Sequence, residues 1–308
     1  MEHLTLGWVL LLGTWTGASA ASIKNSQVKE VVMDMAPNSF DDQYHGCVDL
    51  MEAELLELNR TEFNNYTPDW RRAAAEWQSR WGHAAHPPAL PWDQATAVLA
   101  YMMQGNLYHQ FNSATLTAGR SRQHYLSSYH YKTLHFLLIR ALQTLRRSQL
   151  QRCFQVYRGV RGTRYTAQQG QLVRFGHFTS SSLQKNLPSV YGPDTFFSVE
   201  TCYGAPVLHF TTFPAENKVL IPPFEHFRVT NITRNKGITY IQLRSQGNSS
   251  TYNCEFVKEK RCKEPPCAAS AQVSTQHTVS TGRSSPTEPP HLWVLLLAAA
   301  ALAAVAEH

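Results

Sequence analysis

The chain has 308 residues with a formal net charge of +6, and 43% of the residues are hydrophobic. The charge is spread along the chain, and its densest cluster, between residues 140 and 152, fits the solvated face of a helix, which argues against a nucleic-acid-binding protein. Its six cysteines show no Cys-x-x-Cys spacing, which argues against a zinc module.

Both ends of the chain have the pattern of processing signals. Residues 1–20 contain an apolar run that ends in small residues, as in a secretory signal peptide. Residues 291–308 are apolar and follow a polar, proline-rich spacer, which is typical of a GPI-anchor signal. A transmembrane span needs about 20 apolar residues, and the run from Leu292 to Ala306 is shorter. We predict a lipid-anchored protein on the extracellular face of the plasma membrane, with a short span or a secreted form as alternatives.

The segment between these signals, residues 21–267, is long enough for one sizeable domain. Residues 268–290 are rich in Ser, Thr and Pro, which is typical of a disordered stalk. We therefore predict one ectodomain on a stalk, and the cysteines favour disulfide bonds in an oxidising compartment. Asn-x-Ser/Thr sequons predict glycosylation at four positions: Asn59, Asn65, Asn231 and Asn248.

Before Cys153 the apolar pattern is helical. A helix is predicted from Asp93 to Leu107, with an N-cap candidate just after Pro91. A second helix is predicted where apolar residues recur at helical spacing: Leu134, Leu137, Leu138, Ala141, Leu142 and Leu145.

After Cys153 the pattern changes to short runs rich in Val, Ile, Phe and Thr, separated by Gly, Pro and Asn, which predicts strands. A helical part followed by a strand-rich part indicates an α+β domain. The predicted strands are 154–160, 172–178, 195–201, 207–213, 227–232 and 238–243.

Three motifs follow one another in the strand-rich part. Arg158 ends the first predicted strand, and Ser180 lies in a run of three serines. An acidic loop then carries Glu216 and Lys218. This order resembles the Arg, Ser, Glu-x-Glu signature of the arginine-specific ecto-ADP-ribosyltransferases, GPI-anchored enzymes that move ADP-ribose from NAD to protein guanidinium groups. The resemblance extends over nearly the whole predicted ectodomain, from Asp34 to Glu255.

The resemblance implies a helical N-terminal part packed on a split β-sheet core around a cleft for NAD, with NAD as co-substrate and no metal. NADP is a second donor that the resemblance implies beside NAD. Two disulfide bonds are implied, Cys47 to Cys254 and Cys153 to Cys202, which leaves Cys262 and Cys267 either paired with each other or free. The implied partners are arginine-bearing extracellular or cell-surface proteins and the membrane that holds the lipid anchor.

The resemblance also implies roles for individual residues. Arg158 would anchor the pyrophosphate or the ribose, because its planar guanidinium offers several donors at once. Ser180 would hold the nicotinamide ribose, and Glu216 would select and activate the acceptor arginine. Tyr191 and Tyr101 are expected to line the cleft, with Tyr191 against the nicotinamide ring.

Lys218 occupies the position of the catalytic glutamate of this signature. A carboxylate there would stabilise the cationic sugar that forms when the glycosidic bond breaks, whereas an ammonium group repels it. The leading interpretation is an arginine-directed mono-ADP-ribosyltransferase. One alternative is a catalytically impaired relative that acts as an NAD-binding or surface recognition protein, and a weaker one is an NAD glycohydrolase.

Overall fold

The computed structural model describes residues 28–62, 67–84, 90–186, 193–211 and 214–263. The predicted signal peptide, stalk and anchor signal lie outside these ranges, as do Asn65, Tyr191 and Cys267, and the side chain of Cys262 is not described either. Within the described ranges, no helix is both long and apolar enough to cross a membrane.

The N-terminal half is largely helical. After a short strand, β1 (Lys29–Val32), come α1 (Val48–Glu62), α2 (Thr67–Trp81), α3 (Trp92–Met102), α4 (Asn106–Ala118), α5 (Arg122–Ser128) and α6 (Lys132–Arg147). A further helix, α7 (Glu255–Lys263), follows the last strand.

The helix predicted from Asp93 to Leu107 is in fact two helices. Gln104 has φ 53°, in the left-handed region, where a right-handed helix cannot continue. The next residue, Gly105, is the N-cap of α4. The break matters for the site, because it turns Gln104 and the first turn of α4 toward the strands.

The C-terminal half consists mainly of strands. They are β2 (Phe154–Val160), β3 (Thr163–Thr166), β4 (Leu172–Arg174), β5 (Thr179–Ser182), β6 (Thr195–Thr201), β7 (Ala205–Pro206), β8 (Lys218–Ile221), β9 (Glu225–Asn235) and β10 (Ile238–Asn248).

Two strand predictions were wrong. The run 172–178 divides into β4 and a turn, since Gly176 has φ 69° and interrupts the extended chain before β5. The run 207–213 contains a 3₁₀ helix at Leu208–Phe210 instead of a strand. Val207 and Phe210 are buried while Leu208 is exposed, and this spacing of three fits a 3₁₀ turn better than the alternation of a strand.

The main sheet has the strand order β4-β9-β10-β6-β2-β5-β8-β7, and β1 pairs with β3 separately. Strands β2 and β6 pair along their whole length, from Phe154 opposite Thr201 to Val160 opposite Thr195. By contrast, β2 and β5 are paired only through Tyr157 and Ser182. The sheet is therefore split between β2 and β5, and the predicted α+β class with a split sheet is confirmed.

The domain has two hydrophobic cores, one formed mainly by the helices and one formed by strands from both sides of the split. The alternating side chains of β8 serve both cores, because successive residues of a strand point to opposite faces. Leu220 lies in the core formed by the helices, while Val219 and Ile221 lie in the core formed by strands. This strand core includes Phe154, Val156, Phe197, Val199, Phe227, Val229, Ile241 and Leu243. The short strand β8 is thus fixed on both faces.

Disulfide bonds join Cys47 to Cys254 and Cys153 to Cys202, the two pairs that the resemblance implies. The first connects the segment before α1 to the residue before α7, and the second connects the start of β2 to the end of β6. Asn59, Asn231 and Asn248 are at least partly exposed, so glycosylation at these positions stays a prediction that the fold allows.

Candidate active site

Arg158 bridges the split in the sheet. Its Nη1 atom donates a hydrogen bond of 2.7 Å to the carbonyl oxygen of Ser180, and its Nη2 atom donates one of 3.1 Å to the hydroxyl of Tyr108 on α4. Burial acts to lower the pKa of Arg158, but the neighbouring tyrosines, Tyr108 with Tyr101 and Tyr165, together outweigh it, so the pKa lies above its ordinary value. The guanidinium therefore stays charged and joins β2, β5 and α4 at one point.

Ser180 lies at the centre of β5 and is only 5% exposed. Its Oγ atom is 3.5 Å from Nε2 of Gln104, the residue at the break between α3 and α4. That contact is at the long limit of a hydrogen bond, so the hydroxyl retains most of its bonding capacity for a ligand.

Tyr101 does not line a cleft, contrary to the prediction. Its side chain is 0% exposed, and its hydroxyl donates a hydrogen bond of 2.6 Å to the carbonyl oxygen of Phe178. The same hydroxyl accepts a hydrogen bond of 3.0 Å from Nδ2 of Asn112. An aromatic residue on a helix packed against strands is buried by default, and here Tyr101 holds the chain two residues before Ser180 in place.

The residues just before β8, 214–217, form what we call the acidic turn. It consists of a 3₁₀ helix, Pro214–Glu216, followed by Asn217 with φ 44°. Asparagine tolerates this left-handed conformation better than most residues. Residues at the end of β5 fix the turn through its carbonyl oxygens: Ser182 Oγ donates to Glu216 (2.6 Å), Leu183 N to Asn217 (3.1 Å) and Gln184 Nε2 to Ala215 (2.8 Å).

Lys218, the first residue of β8, turns its side chain back to the acidic turn. Its Nζ atom lies 2.9 Å from Oε2 of Glu216, and the two side chains are 10% and 29% exposed, respectively. The ion pair thus joins the two residues at the positions of the Glu-x-Glu signature. At this distance the ammonium group neutralises much of the field of the Glu216 carboxylate.

Glu225 does not supply a replacement for the missing carboxylate. It begins β9 and is completely buried. Its oxygens accept hydrogen bonds from the hydroxyls of Thr201 and Ser245 and from the backbone N–H of Cys202. Burial raises its pKa despite these donors. A carboxylate held in this way has a structural role.

His177 lies close to the junction of Arg158 with Ser180, but it does not act as an acid or base near neutral pH. The pKa of His177 is lowered to about 4, mainly by burial. The charge of Arg158 adds to this decrease, whereas a hydrogen bond with the Phe178 carbonyl opposes it. The imidazole is therefore neutral at physiological pH.

A row of paired residues leads from Lys218 to a cavity. Lys218 lies opposite Ser182, Ser182 opposite Tyr157, Tyr157 opposite Ser198, and Ser198 opposite Gln242. Paired residues on neighbouring strands place their side chains on the same face of a sheet. Ser198 and Gln242 line a cavity of about 370 Å³, so Lys218 and this cavity lie on one continuous face across the split.

The motifs located Arg158, Ser180, Glu216 and Lys218, and the structure brings all four to the split, where their roles toward a ligand remain predictions. The motifs missed Tyr108, Gln104 and Ser182. Tyr108 and Gln104 are far from Arg158 and Ser180 in sequence, so no local pattern connects them. Ser182 could have been found, because alternation in a strand places it on the same face as Ser180. Among the described residues, no group of His, Cys, Asp or Glu has the arrangement of a metal site.

Comparison with known proteins gives a consistent result. The family model for NAD:arginine ADP-ribosyltransferase matches residues 33–251. The chain is 69% identical over 275 residues to the erythroblast NAD(P)(+)-arginine ADP-ribosyltransferase of Gallus gallus, covering 89% of this chain and 92% of that protein. It is 45% identical over 272 residues to the GPI-linked NAD(P)(+)-arginine ADP-ribosyltransferase 1 of Mus musculus, covering 83% of this chain and 84% of that protein.

Among solved structures, the crystal structure of the eukaryotic mono-ADP-ribosyltransferase ART2.2 superposes with a TM-score of 0.62 at 33% sequence identity. The match covers 73% of this chain and 98% of that chain. Point variants of ART2.2 match equally well, and they were determined in complex with NADH and with NAD.

Proposed function

Because the chain belongs to the NAD:arginine ADP-ribosyltransferase family, we propose that it transfers ADP-ribose from NAD to the guanidinium groups of arginine side chains in proteins. The observation that carries the proposal is the arrangement around β5. This one short strand binds Arg158 through the carbonyl of Ser180 and the acidic turn through the hydroxyl of Ser182. The residues expected to hold the donor and the acceptor thus meet at the split in the sheet.

In this proposal Arg158 provides a fixed positive charge for the pyrophosphate or the adjoining ribose. Two of its donor atoms are already engaged with protein oxygens, so its guanidinium is oriented before the ligand arrives, which reduces the cost of binding. The Ser180 hydroxyl faces the nicotinamide ribose, since its contact with Gln104 leaves it free to bond to a ligand. Tyr191 remains the proposed contact for the nicotinamide ring.

Glu216 is the acceptor-binding carboxylate of the proposal, because a carboxylate pairs with a guanidinium through two parallel hydrogen bonds. In the structure this carboxylate is engaged by Lys218. An acceptor arginine therefore competes with Lys218 for Glu216, and the sugar cation develops near an ammonium group. Both effects slow transfer, so we expect a slow enzyme.

The ion pair between Lys218 and Glu216 also favours a second candidate function. If the pair stays closed, the chain binds NAD at the split without transferring ADP-ribose and acts as a surface recognition protein. The contacts of Arg158 and Ser180 are the same in both cases, so NAD binding does not separate the two functions, whereas transfer to an acceptor does.

We propose that the protein acts on the extracellular face of the plasma membrane through a GPI anchor, with arginine-bearing extracellular proteins as acceptors. The relatives from mouse, rabbit and human are named GPI-linked enzymes. The C-terminal sequence has the pattern of an anchor signal, and the two disulfide bonds fit an oxidising compartment. NAD is the proposed donor, and the names of the same relatives extend this to NADP.

The test is transfer of labelled ADP-ribose from NAD to a small guanidine compound by the purified ectodomain, residues 21–267. Wild type is compared with Arg158→Ala and Lys218→Glu, and NAD binding is measured in parallel by calorimetry. Free nicotinamide and free ADP-ribose are quantified as well, because release of both without labelled acceptor would identify a glycohydrolase.

Transfer by the wild type that is lost in Arg158→Ala would support the enzyme. NAD binding without transfer in the wild type, together with transfer in Lys218→Glu, would support the second candidate. Absence of both binding and transfer in wild type and Lys218→Glu would contradict both functions.

A further inference from the structure

A second cavity, which we call the basic pocket, lies away from the candidate active site. It has a volume of about 500 Å³ and is bounded by α6, by the segment before α1 and by the chain after β6. None of Arg158, Ser180, Glu216 or Lys218 lines it. Its lining includes Arg140, Arg146, Arg147, Tyr203, Phe224 and Asn248.

The three arginines of the basic pocket have no carboxylate partner within 4.0 Å in the part of the chain that the structure describes. Arg140 donates through Nη1 to Gln143 (2.8 Å), but its buried Nε atom has no hydrogen-bond partner. Uncompensated positive charge in a concave site attracts anions. The fork of donors on each guanidinium matches the oxygens of a phosphate or sulfate ester.

Helix capping explains part of this cluster but not all of it. Arg146 and Arg147 lie in the last turn of α6, where cations interact favourably with the helix dipole. Arg146 also donates to the carbonyl oxygens of Gln151 and Arg152 and so closes the end of the helix. Arg140 is about two turns earlier, beyond the reach of the dipole effect. Helix capping therefore does not account for the charge of Arg140 at the wall of the basic pocket.

The other walls of the basic pocket suit a sugar ring. The rings of Tyr203 and Phe224 pack edge to face with centroids 6.1 Å apart, and aromatic edges of this kind offer an apolar surface. Gln143 accepts a hydrogen bond from Arg140 and donates one to the carbonyl oxygen of Gln43, so it fixes the Arg140 side chain in the wall. A cavity that combines an apolar wall with a few polar groups is the usual form of a small-molecule site.

Both disulfide bonds border the basic pocket. Cys202 lines it and is bonded to Cys153, while the lining residues Tyr44 to Val48 flank Cys47, which is bonded to Cys254. The walls are therefore fixed before any ligand binds, which lowers the entropic cost of binding.

We propose that the basic pocket binds a sugar that carries a phosphate or sulfate ester, with the ester at Arg140 and Arg147 and the ring against Tyr203 and Phe224. The proposal does not depend on ADP-ribosyl transfer, because the two sites share no residue. Asn248 lies in the wall and belongs to a sequon, so a glycan attached there would start at the mouth of the pocket and could restrict entry.

The test is calorimetric titration of the ectodomain with glucose 6-sulfate, glucose 6-phosphate and unmodified glucose at fixed ionic strength. The N-glycans are trimmed enzymatically first, to clear the mouth of the pocket. We expect saturable binding of at least one charged sugar and at least tenfold weaker binding of glucose. A response to only one of the two esters would identify the chemical source of the ligand.

Arg140→Gln and Arg147→Gln should each weaken binding at least fivefold. Arg147 is exposed, so its substitution keeps the test valid if Arg140→Gln fails to fold. The matched control is Arg234→Gln, which removes the same charge from an exposed position on β9 outside the pocket, and it should bind as the wild type does. Absence of binding by both charged sugars, equal binding of glucose, or an equal loss in Arg234→Gln would overturn the proposal.

Discussion

The junction of Arg158 with Ser180 and the acidic turn are both attached to β5, but their side chains contribute in different ways. At the junction the functional group itself is held in place, because the guanidinium of Arg158 bonds to Ser180 and to Tyr108. At the acidic turn the bonds from Ser182 and the two residues after it all go to backbone carbonyls, and the side chain of Glu216 bonds to that of Lys218.

This difference explains how a charge reversal fits within an intact scaffold. The main chain of Lys218 pairs with Ser182, and its carbonyl accepts a hydrogen bond from Val207 N. These contacts are the same for any residue at position 218. The charge of the side chain at position 218 can therefore change while the backbone geometry of the site stays the same. An intact fold does not guarantee the chemistry.

The largest expected effect concerns a carboxylate outside both regions. Glu225→Ala leaves several buried donors without an acceptor, including Thr201, Ser245 and Cys202 N. We expect the free energy of unfolding to fall by at least about 3 kcal/mol, measured by urea denaturation. Glu225→Gln keeps one acceptor oxygen and should lose less. Unchanged stability in Glu225→Ala together with lost transfer would instead place Glu225 in the chemistry.

The next effect comes from reversing the charge at position 218, directly after the acidic turn. Lys218→Glu should raise the rate of ADP-ribose transfer at least about 100-fold, because it restores negative charge where the sugar cation forms. The matched control is Lys218→Gln, which frees Glu216 without adding a charge and should give a smaller gain. Initial rates with a saturating guanidine acceptor give the measurement. Equal rates in wild type and Lys218→Glu would show that the ammonium group is harmless.

A smaller effect tests the junction. Tyr108→Phe removes the hydroxyl that bonds to Arg158 but keeps the ring that packs against Tyr101 at 5.1 Å. In the Lys218→Glu background we expect about tenfold weaker NAD binding, since a hydrogen bond to a charged group contributes about 1.5–3 kcal/mol. Calorimetry with NAD provides the affinity. Arg158→Lys should resemble Arg158→Ala more than wild type, as lysine has no planar fork.

Loosening the acidic turn should have a modest effect. Ser182→Ala removes the hydroxyl that donates to Glu216 O and accepts from Gln184 N. In the Lys218→Glu background we expect about a fivefold loss of transfer at unchanged NAD affinity, which corresponds to about 1 kcal/mol. Ser181→Ala is the control, because the Ser181 hydroxyl is buried without a partner. Equal losses in both variants would show that the turn does not depend on Ser182.

The smallest effect is on the pH dependence of stability. His177 has a pKa of about 4 when folded, against about 6.5 in the unfolded chain. The unfolded state binds more protons in this window, so the contribution of His177 to stability is lost as the pH falls from about 6.5 to 4. Between pH 7.5 and pH 6, His177→Gln should lose about 0.8 kcal/mol less than wild type in urea denaturation. A constant difference between the two proteins would contradict this assignment.

The sequence predicted most of the helices and strands that have a local repeating pattern. It predicted less well the features that depend on contacts between segments far apart in the chain. The strands 154–160 and 195–201 were predicted with their correct bounds, since β-branched and aromatic residues dominate both. The break at Gln104 was missed because nothing before Gly105 interrupts the helical pattern. Strand β8 was interpreted as part of a loop because it is only four residues long.

At the site, the positions of Arg158, Ser180 and Glu216 followed from the motifs, but their partners did not. The bond of Arg158 to Tyr108 connects residues 50 positions apart, and only the packing of α4 against the split determines it. The ion pair of Lys218 with Glu216 depends on the left-handed Asn217 between them, which a sequence pattern does not report. The prediction that Tyr101 lines the cleft was wrong for a different reason. It followed the family resemblance, although an aromatic residue of a helix is usually buried.

The bond between Cys47 and Cys254 has a consequence for biosynthesis. Its partners are 207 residues apart, whereas Cys153 and Cys202 are separated by 49. During synthesis the shorter pair can form while the later strands are still being made, and Cys47 must stay reduced until almost the whole domain has emerged. A ribosome that stops before residue 254 would leave Cys47 with only wrong partners. We therefore expect chains truncated before residue 254 to accumulate with Cys47 in non-native disulfides, which makes this one bond a checkpoint for completion of the domain.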